Sequence, residues 1–227
     1  MAIDTCTGPA GLALRTGAGT ITTSRADAER GSADLLASAL ANLAHRADAA
    51  LTDIGQIVVV NGPGSFTGVR AGLALALGLR AGAGAQPQIY PVSTFDALYH
   101  AQATDSGPAC VLTGAGRSGV FMQMHAATGQ PLEPPRLVRL ADLSALLADH
   151  RGRVVATTQL SDHPDLHAAL ADHPHLDVRA PVDPLETLAR APEARALTPS
   201  PHPEPLYVRA PDAARSRPAF AVGAPSS

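Results

Sequence analysis

The sequence contains no lysine; all 17 of its basic residues are arginine. That absence removes the phosphate-gripping lysine of a P-loop, Schiff-base chemistry and a serine–lysine dyad in one step. A high-GC codon bias would produce the same absence, and the exclusion holds in either case. Tryptophan is missing too, and aromatic residues make up only 3% of the chain. The 45% hydrophobic fraction therefore rests mainly on alanine, leucine and valine, small side chains that suit closely packed helices and sheet. Two cysteines, Cys6 and Cys110, are too few and too isolated for a disulfide framework or a zinc ribbon. With a net charge of −3 and scattered arginines there is no basic stripe, so any role with RNA is expected to pass through a partner that carries the positive surface. The longest apolar run, residues 71–79 between Arg70 and Arg80, falls far short of the roughly 20 residues of a membrane span. No basic and apolar leader with a cleavage site opens the chain, and a cytoplasmic protein without membrane association is expected.

What is present is a pattern of short strands and amphipathic helices. Residues 1–5, 11–15 and 20–24 read as three strands of a meander, parted by turns that include Gly17 and Gly19. Over 32–47, Leu35, Leu36, Ala39, Leu40 and Leu43 recur at helical spacing, with Ser32 as a cap. Residues 56–60 form a continuous, mostly β-branched run, which predicts a strand buried on both faces. A helix is expected over 69–80, a strand over 88–91 and another helix from Ser93 or Thr94. The second half predicts strands at 109–113, 120–125 and 153–157, a proline-rich crossing at 131–135 and a helix over 140–150. From Ser161 onward prolines recur and regular structure is expected to be short. The sum is a mixed α/β sheet architecture in two lobes, 1–105 and 106–210, followed by a flexible tail at 211–227.

The most informative segment is Gly62-Pro63-Gly64-Ser65-Phe66-Thr67-Gly68-Val69-Arg70, where a buried strand turns into a helix. Free N–H groups at such a helix start favour an anion, and the glycines permit close approach. A tight turn without a ligand explains the residues equally well. The spacing is not that of a Walker loop, and Pro63 stands where a nucleophile elbow needs glycine. Asp4 and Thr5 end the first strand, where an Asx turn is the commoner role and phosphate contact the sharper one. Asp4, Thr5, Gly62, Gly64 and Ser65 are thus the candidate nucleotide or anion contacts. Gly68, Gly72 and Gly78 lie along the following helix, at a cost of about 1 kcal/mol each relative to alanine. Together they predict that another backbone comes close, either the chain's own sheet or a partner helix. A partner would meet Leu36, Leu40 and Leu43 on one helix and Val69, Gly72, Leu73 and Ala76 on the other. His163 and His167 have the i, i+4 spacing of metal ligands, but Pro164 stands where a metalloprotease carries its second motif residue, and a solvated helix start is the expected role. Ser, Cys, His and carboxylates form no catalytic set along the chain.

The residues Ile3-Asp4-Thr5, the 62–70 segment with Gly72-Leu73, Pro91-Val92-Ser93-Thr94-Phe95 and Glu204-Pro205-Leu206-Tyr207-Val208-Arg209 resemble, in order, motifs of the TsaB (YeaZ) family. The resemblance extends over nearly the whole chain, and the 62–70 segment is its specific part. It implies an actin/Hsp70-like two-lobed fold (the ASKHA, ribonuclease H-like class) and a non-catalytic role in making threonylcarbamoyladenosine on tRNA. The implied partners are the catalytic TsaD-type subunit, through helices of the first lobe, and a TsaE-type ATPase. Contact with tRNA would be indirect, ATP or ADP would sit at the complex interface, and the isolated chain could pair with itself. TsaD-type proteins hold metal with a His-x-x-x-His pair in the first lobe, and this sequence has no such pair there. Three places depart from the family pattern. The first strand begins almost at Met1, Gly31 stands where a histidine is usual, and residues 114–121 lack the family's Asp and Glu, so the polar contacts of that segment are not carried over. The alternatives are an M22-like metallopeptidase acting alone and a sugar or acid kinase of the same superfold that uses Asp4-Thr5 for phosphate.

Overall fold

The structure, a computed structural model, describes residues 1–26, 32–82, 86–102, 107–116, 119–194 and 197–208. Its frame is two five-stranded sheets. The first is built from β1 (Ala2–Asp4), β2 (Gly11–Arg15), β3 (Ile21–Arg25), β4 (Gln56–Val60) and β5 (Gln88–Val92), in the spatial order β3-β2-β1-β4-β5. The meander pairs antiparallel, while β1, β4 and β5 run parallel.

Strand alternation divides this sheet's side chains between two cores. Ile3, Leu12, Leu14, Ile57, Val59 and Ile89 face α1 (Ser32–Arg46) and α2 (Phe66–Gly82). Ala2, Ala13, Val58, Val60, Tyr90 and Val92 face the opposite way, onto Leu185, Leu188 and Ala189 of a late helix, Leu185–Ala194. In the run at 56–60, all but the exposed Gln56 are buried, on both faces of the sheet, as the β-branched composition predicts.

The second sheet comprises β6 (Ala109–Gly114), β7 (Gly119–His125), β8 (Arg136–Arg139), β9 (Arg153–Ala156) and β10 (Asp177–Arg179), ordered β10-β9-β6-β7-β8. One face packs on α4 (Leu140–Leu147) and α6 (Pro164–Ala171), with the short α5 (Thr158–Ser161) beside them. The other face, with Ala109, Val111, Phe121 and Val155, receives Phe95, Leu98 and Tyr99 of α3 (Thr94–Ala101).

The two halves therefore exchange a helix. α3 precedes the expected division near residue 105 yet packs on the second sheet. The late helix, α7 (Leu185–Ala194), follows that division and packs on the first. The division itself falls at 103–106, and the expected tail at 211–227; both lie outside the described residues.

Past Ser161 two of the prolines, Pro164 and Pro184, start helices instead of preventing them, while Pro192 lies inside α7 (Leu185–Ala194). Pro164 occupies the first turn of α6, where its missing N–H has no intrahelical partner to lose. Pro184 directly precedes α7, and its carbonyl accepts from Leu188 N at 2.8 Å. No described helix is long and apolar enough to cross a membrane.

Candidate functional site

The end of β1 turns sharply because Asp4 gathers the loop that follows it. Its carboxylate accepts from the backbone N–H of Cys6 at 3.0 Å and of Thr7 at 3.1 Å, and from the Thr7 hydroxyl. Asp4 is fully buried, and its charge is answered by Arg25 Nη2 at 3.0 Å. Arg25 also grips Asp183 through Nε (3.0 Å) and Nη2 (2.6 Å), and Asp183 Oδ1 accepts from Leu185 N at 2.9 Å, capping α7. Partial burial opposes the Asp183 charge, but the Arg25 hydrogen bond, the Leu185 N–H and the Arg25 charge outweigh it and hold that carboxyl below its ordinary range. The backbone donors that a phosphate would use at Cys6 and Thr7 are thus engaged by the chain's own aspartate.

The 62–70 segment is shaped by close approach. Gly62 has φ +113° and follows β4 with a cis peptide to Pro63. A Cβ on it would meet Leu206 O at 2.7 Å, and one on Gly64 would meet Cys6 Cβ at 2.9 Å. Ser65 caps α2, its Oγ accepting from Gly68 N at 3.0 Å. A Cβ on Gly68 would sit 2.5 Å from Thr5 O, and one on Gly72 2.6 Å from Thr5 Oγ1. The helix therefore lies directly against the β1 turn, which only glycine permits. Thr94 ties the same loop to α3, with its N–H on Gly62 O at 2.8 Å and its hydroxyl on Pro63 O at 2.7 Å.

A third contact comes from the far end of the described chain. Asn61 Nδ2 donates to Glu204 O at 2.9 Å, and Leu206 N donates to Asn61 O at 2.7 Å. Tyr207 stacks on Phe66 with centroids 5.7 Å apart, while Arg70 lies over the Phe66 ring at 3.7 Å and donates from Nε to the Tyr207 hydroxyl at 3.3 Å. The 62–70 loop and the 204–207 segment, more than 130 residues apart in sequence, are thus one structural unit.

The five candidate anion contacts all gather here, at the ends of β1 and β4, but as parts of this packing. The seven residues expected to meet a partner helix, Leu36, Leu40, Leu43, Val69, Gly72, Leu73 and Ala76, are all buried within the chain itself. The apolar stripes of α1 and α2 that their spacing reveals are claimed by the first sheet. What α2 leaves uncovered is a neighbouring stripe. Ala74, Leu75, Gly78, Leu79 and Gly82, with Leu51 and Thr52 opposite, line an apolar groove of about 350 Å³. A Cβ on Gly78 would touch none of the described residues within 4 Å.

The remaining candidates have structural partners. Cys6 Sγ donates to Val60 O at 3.5 Å; burial, helped by the Asp4 charge, pushes its thiol up to about 12. Burial pushes Cys110 up to about 12 as well, so neither sulfur is a thiolate nucleophile near neutral pH. His163 Nδ1 accepts from Asp165 N at 3.2 Å and so caps α6. Among the described residues no three His, Cys, Asp or Glu side chains converge in a metal-binding group. Arg25, Asn61 and Asp183 carry no signal in the sequence; nothing in their local pattern distinguishes them from surface polar residues.

Known proteins share this fold. The family model of TsaD, tRNA N6-adenosine threonylcarbamoyltransferase, matches residues 20–148, more than half of the chain. The structure of YeaZ from Pseudomonas aeruginosa superposes with a TM-score of 0.69 at 19% identity, covering 91% of this chain and 97% of that one. A second structure, described as an uncharacterized protein with similarity to peptidase YEAZ from Pseudomonas aeruginosa, gives a TM-score of 0.66 at 19% identity over 92% and 98% of the two chains. No curated protein matches the sequence. The two mixed sheets with helices on their faces have the α/β two-lobed, ASKHA-like architecture of YeaZ, and the chain belongs to the TsaD family, whose members are associated with tRNA modification.

Proposed function

We propose that this chain is a non-catalytic, TsaB-type subunit that activates a TsaD-type transferase by docking on it through the open face of α2. The groove along Ala74, Gly78 and Gly82 carries this reading. Interior glycines weaken a helix by about 1 kcal/mol each. Gly68 and Gly72 are explained by the β1 turn, but a Cβ on Gly78 would meet none of the described residues within 4 Å. A partner helix could approach closely at such a stripe, as small residues allow.

The catalytic role falls to the partner in this reading. The nucleotide-like loop of this chain has its Cys6 and Thr7 N–H groups and its Asp4 carboxylate engaged internally. ATP or ADP would then be held at the complex boundary, a TsaE-type ATPase would contact the assembled pair, and tRNA would be gripped by the partners. Alone, the chain would cover the same groove by pairing with a second copy.

The test is tRNA threonylcarbamoylation by TsaD, TsaE and the adenylate-forming enzyme, with and without this chain. Activity that requires the chain, and is lost on Gly78→Glu while the melting temperature holds, is the expected result. Full activity without it would overturn the proposal. Peptide hydrolysis by the chain alone, abolished by chelation, would support the metallopeptidase instead.

A further inference from the structure

The chain is poor in aromatic residues, and the structure buries most of those it has. Tyr90, Phe95, Tyr99 and Phe121 are each 9% exposed or less. Phe66 and Tyr207 are the exceptions among the described residues, at 41% and 37%, and they stack on one another. Burying an aromatic ring is among the largest apolar gains open to a chain. Two rings brought together from distant parts of the sequence and still left half in water mark a surface that something else can cover.

Arg70 completes the cluster. Its Cζ lies 3.7 Å from the Phe66 ring centroid, and its Nε donates to the Tyr207 hydroxyl at 3.3 Å. Among the described residues no carboxylate pairs with this charge and no acceptor takes its two Nη groups. A guanidinium fixed by stacking has already lost much of its rotamer freedom, so a group that binds it meets little further ordering cost. The adjoining rings lower the local dielectric and strengthen a charge pair formed there. Aromatic rings with an arginine are also the composition of interface hot spots.

Phe66 and Arg70 belong to a longer ridge. With Ala74 and Gly78 they recur every four residues along α2, and all four are exposed. Side chains four apart form one inclined ridge of a helix, the kind that packs into the grooves of a neighbouring helix. Ala74 and Gly78 line the apolar groove beside Leu51. The aromatic cluster thus stands at one end of the same face, where it offers the directional contact that a groove of small apolar residues lacks.

We propose that Phe66, Arg70 and Tyr207 anchor the α2 interface: Arg70 takes an Asp or Glu carboxylate of the partner protein, and the two rings shield the pair from water. This rests on the reading of α2 as the docking face and adds the chemistry that its partner must present. A nucleic acid fits less well, because the chain carries a net charge of −3 and its arginines form no row for successive phosphates.

The test is the affinity of the full chain for a purified TsaD-type transferase, measured by calorimetry at several salt concentrations. Arg70→Gln is expected to weaken binding about tenfold or more, the loss of a charge-assisted pair, and to flatten its salt dependence. Arg70 is exposed, so the variant keeps its fold. Arg70→Lys retains the charge without the planar fork and should recover only part of the affinity. Binding lost on Gly78→Glu but unchanged by Arg70→Gln would overturn the anchor and leave the docking face standing. Binding weakened by Arg70→Gln but not by Gly78→Glu would support the anchor and remove the groove. No binding by the unmodified chain would overturn both. Saturable tRNA binding by the chain alone, abolished by Arg70→Gln, would overturn the protein partner in favour of a nucleic acid.

Discussion

Arg25 and Asp183, 158 residues apart in sequence, are joined by two hydrogen bonds of 3.0 and 2.6 Å, and through Arg25 the buried Asp4 of β1 is joined to the N-terminus of α7. The helix that returns from the second half is thereby fixed to the first sheet by charge as well as by Leu185 and Leu188. Arg25→Ala strands the Asp4 carboxylate in the interior without its counter-charge, and a loss of about 3 kcal/mol or more is expected in urea unfolding. Asp183→Asn removes a half-exposed partner, so solvent screening limits its cost to on the order of 1 kcal/mol. Equal losses in the two variants would contradict the asymmetry.

The same pair sets a dependence on pH. Asp183 is depressed in the folded state, so near about pH 4 the unfolded chain binds more protons at this site than the folded one. Its contribution is complete above the ordinary carboxylate value and is lost as pH falls through the folded value. A stability profile of the Asp183→Asn variant should therefore be flatter between about pH 5 and pH 2 than that of the unmodified chain. Parallel profiles would show that the ion pair adds nothing.

Two glycines of one helix should respond oppositely to the same change. Gly72→Ala forces a Cβ to within 2.6 Å of Thr5 Oγ1, and overpacking of this kind costs about 1–3 kcal/mol. Gly78→Ala meets open space and should stabilise α2 by up to about 1 kcal/mol through helix propensity alone. Thermal melts of the two variants provide the comparison, and a destabilised Gly78→Ala would point to a contact within the chain.

Tyr207→Ala removes a ring that is 37% exposed and stacked on Phe66. A loss of about 1 kcal/mol is expected, with faster amide exchange at Leu206, whose N–H holds Asn61 O. Unchanged protection at Leu206 would mean the 204–207 segment is held by its backbone bonds alone.

Both thiols should resist alkylation in the native protein near pH 8, since burial raises each to about 12. Labelling that appears only with unfolding is the expected result in mass spectrometry. Rapid native labelling of Cys6, the less buried of the two, would show that the β1 turn opens.

Much of the frame is local physics and can be read without coordinates. The β-branched run at 56–60, the leucine spacing of 32–47 and the Gly-Pro-Gly turn each specify their element, because periodicity and turn chemistry act over a few residues. The late helices are harder to see, because Pro164 and Pro184 read as breakers until their place at helix starts is known. The apolar spacing of α1 and α2 identifies a buried face but not its neighbour. Leu36, Leu40, Leu43, Val69, Leu73 and Ala76 satisfy it against the chain's own sheet, and the uncovered stripe at Ala74 and Gly78 is weakly apolar and carries little periodic signal.

By itself the sequence determined the classes of element, the absence of lysine chemistry and the special character of residues 62–70, since these follow from side-chain identity and short-range spacing. Only the tertiary structure decided that α3 and α7 trade places between the sheets, that Gly68 and Gly72 serve the Thr5 turn, and that Asp4, Arg25 and Asp183 form one charged chain. These depend on residues brought together across up to 158 positions, and no local pattern encodes a contact whose partner is chosen by the folding of the whole.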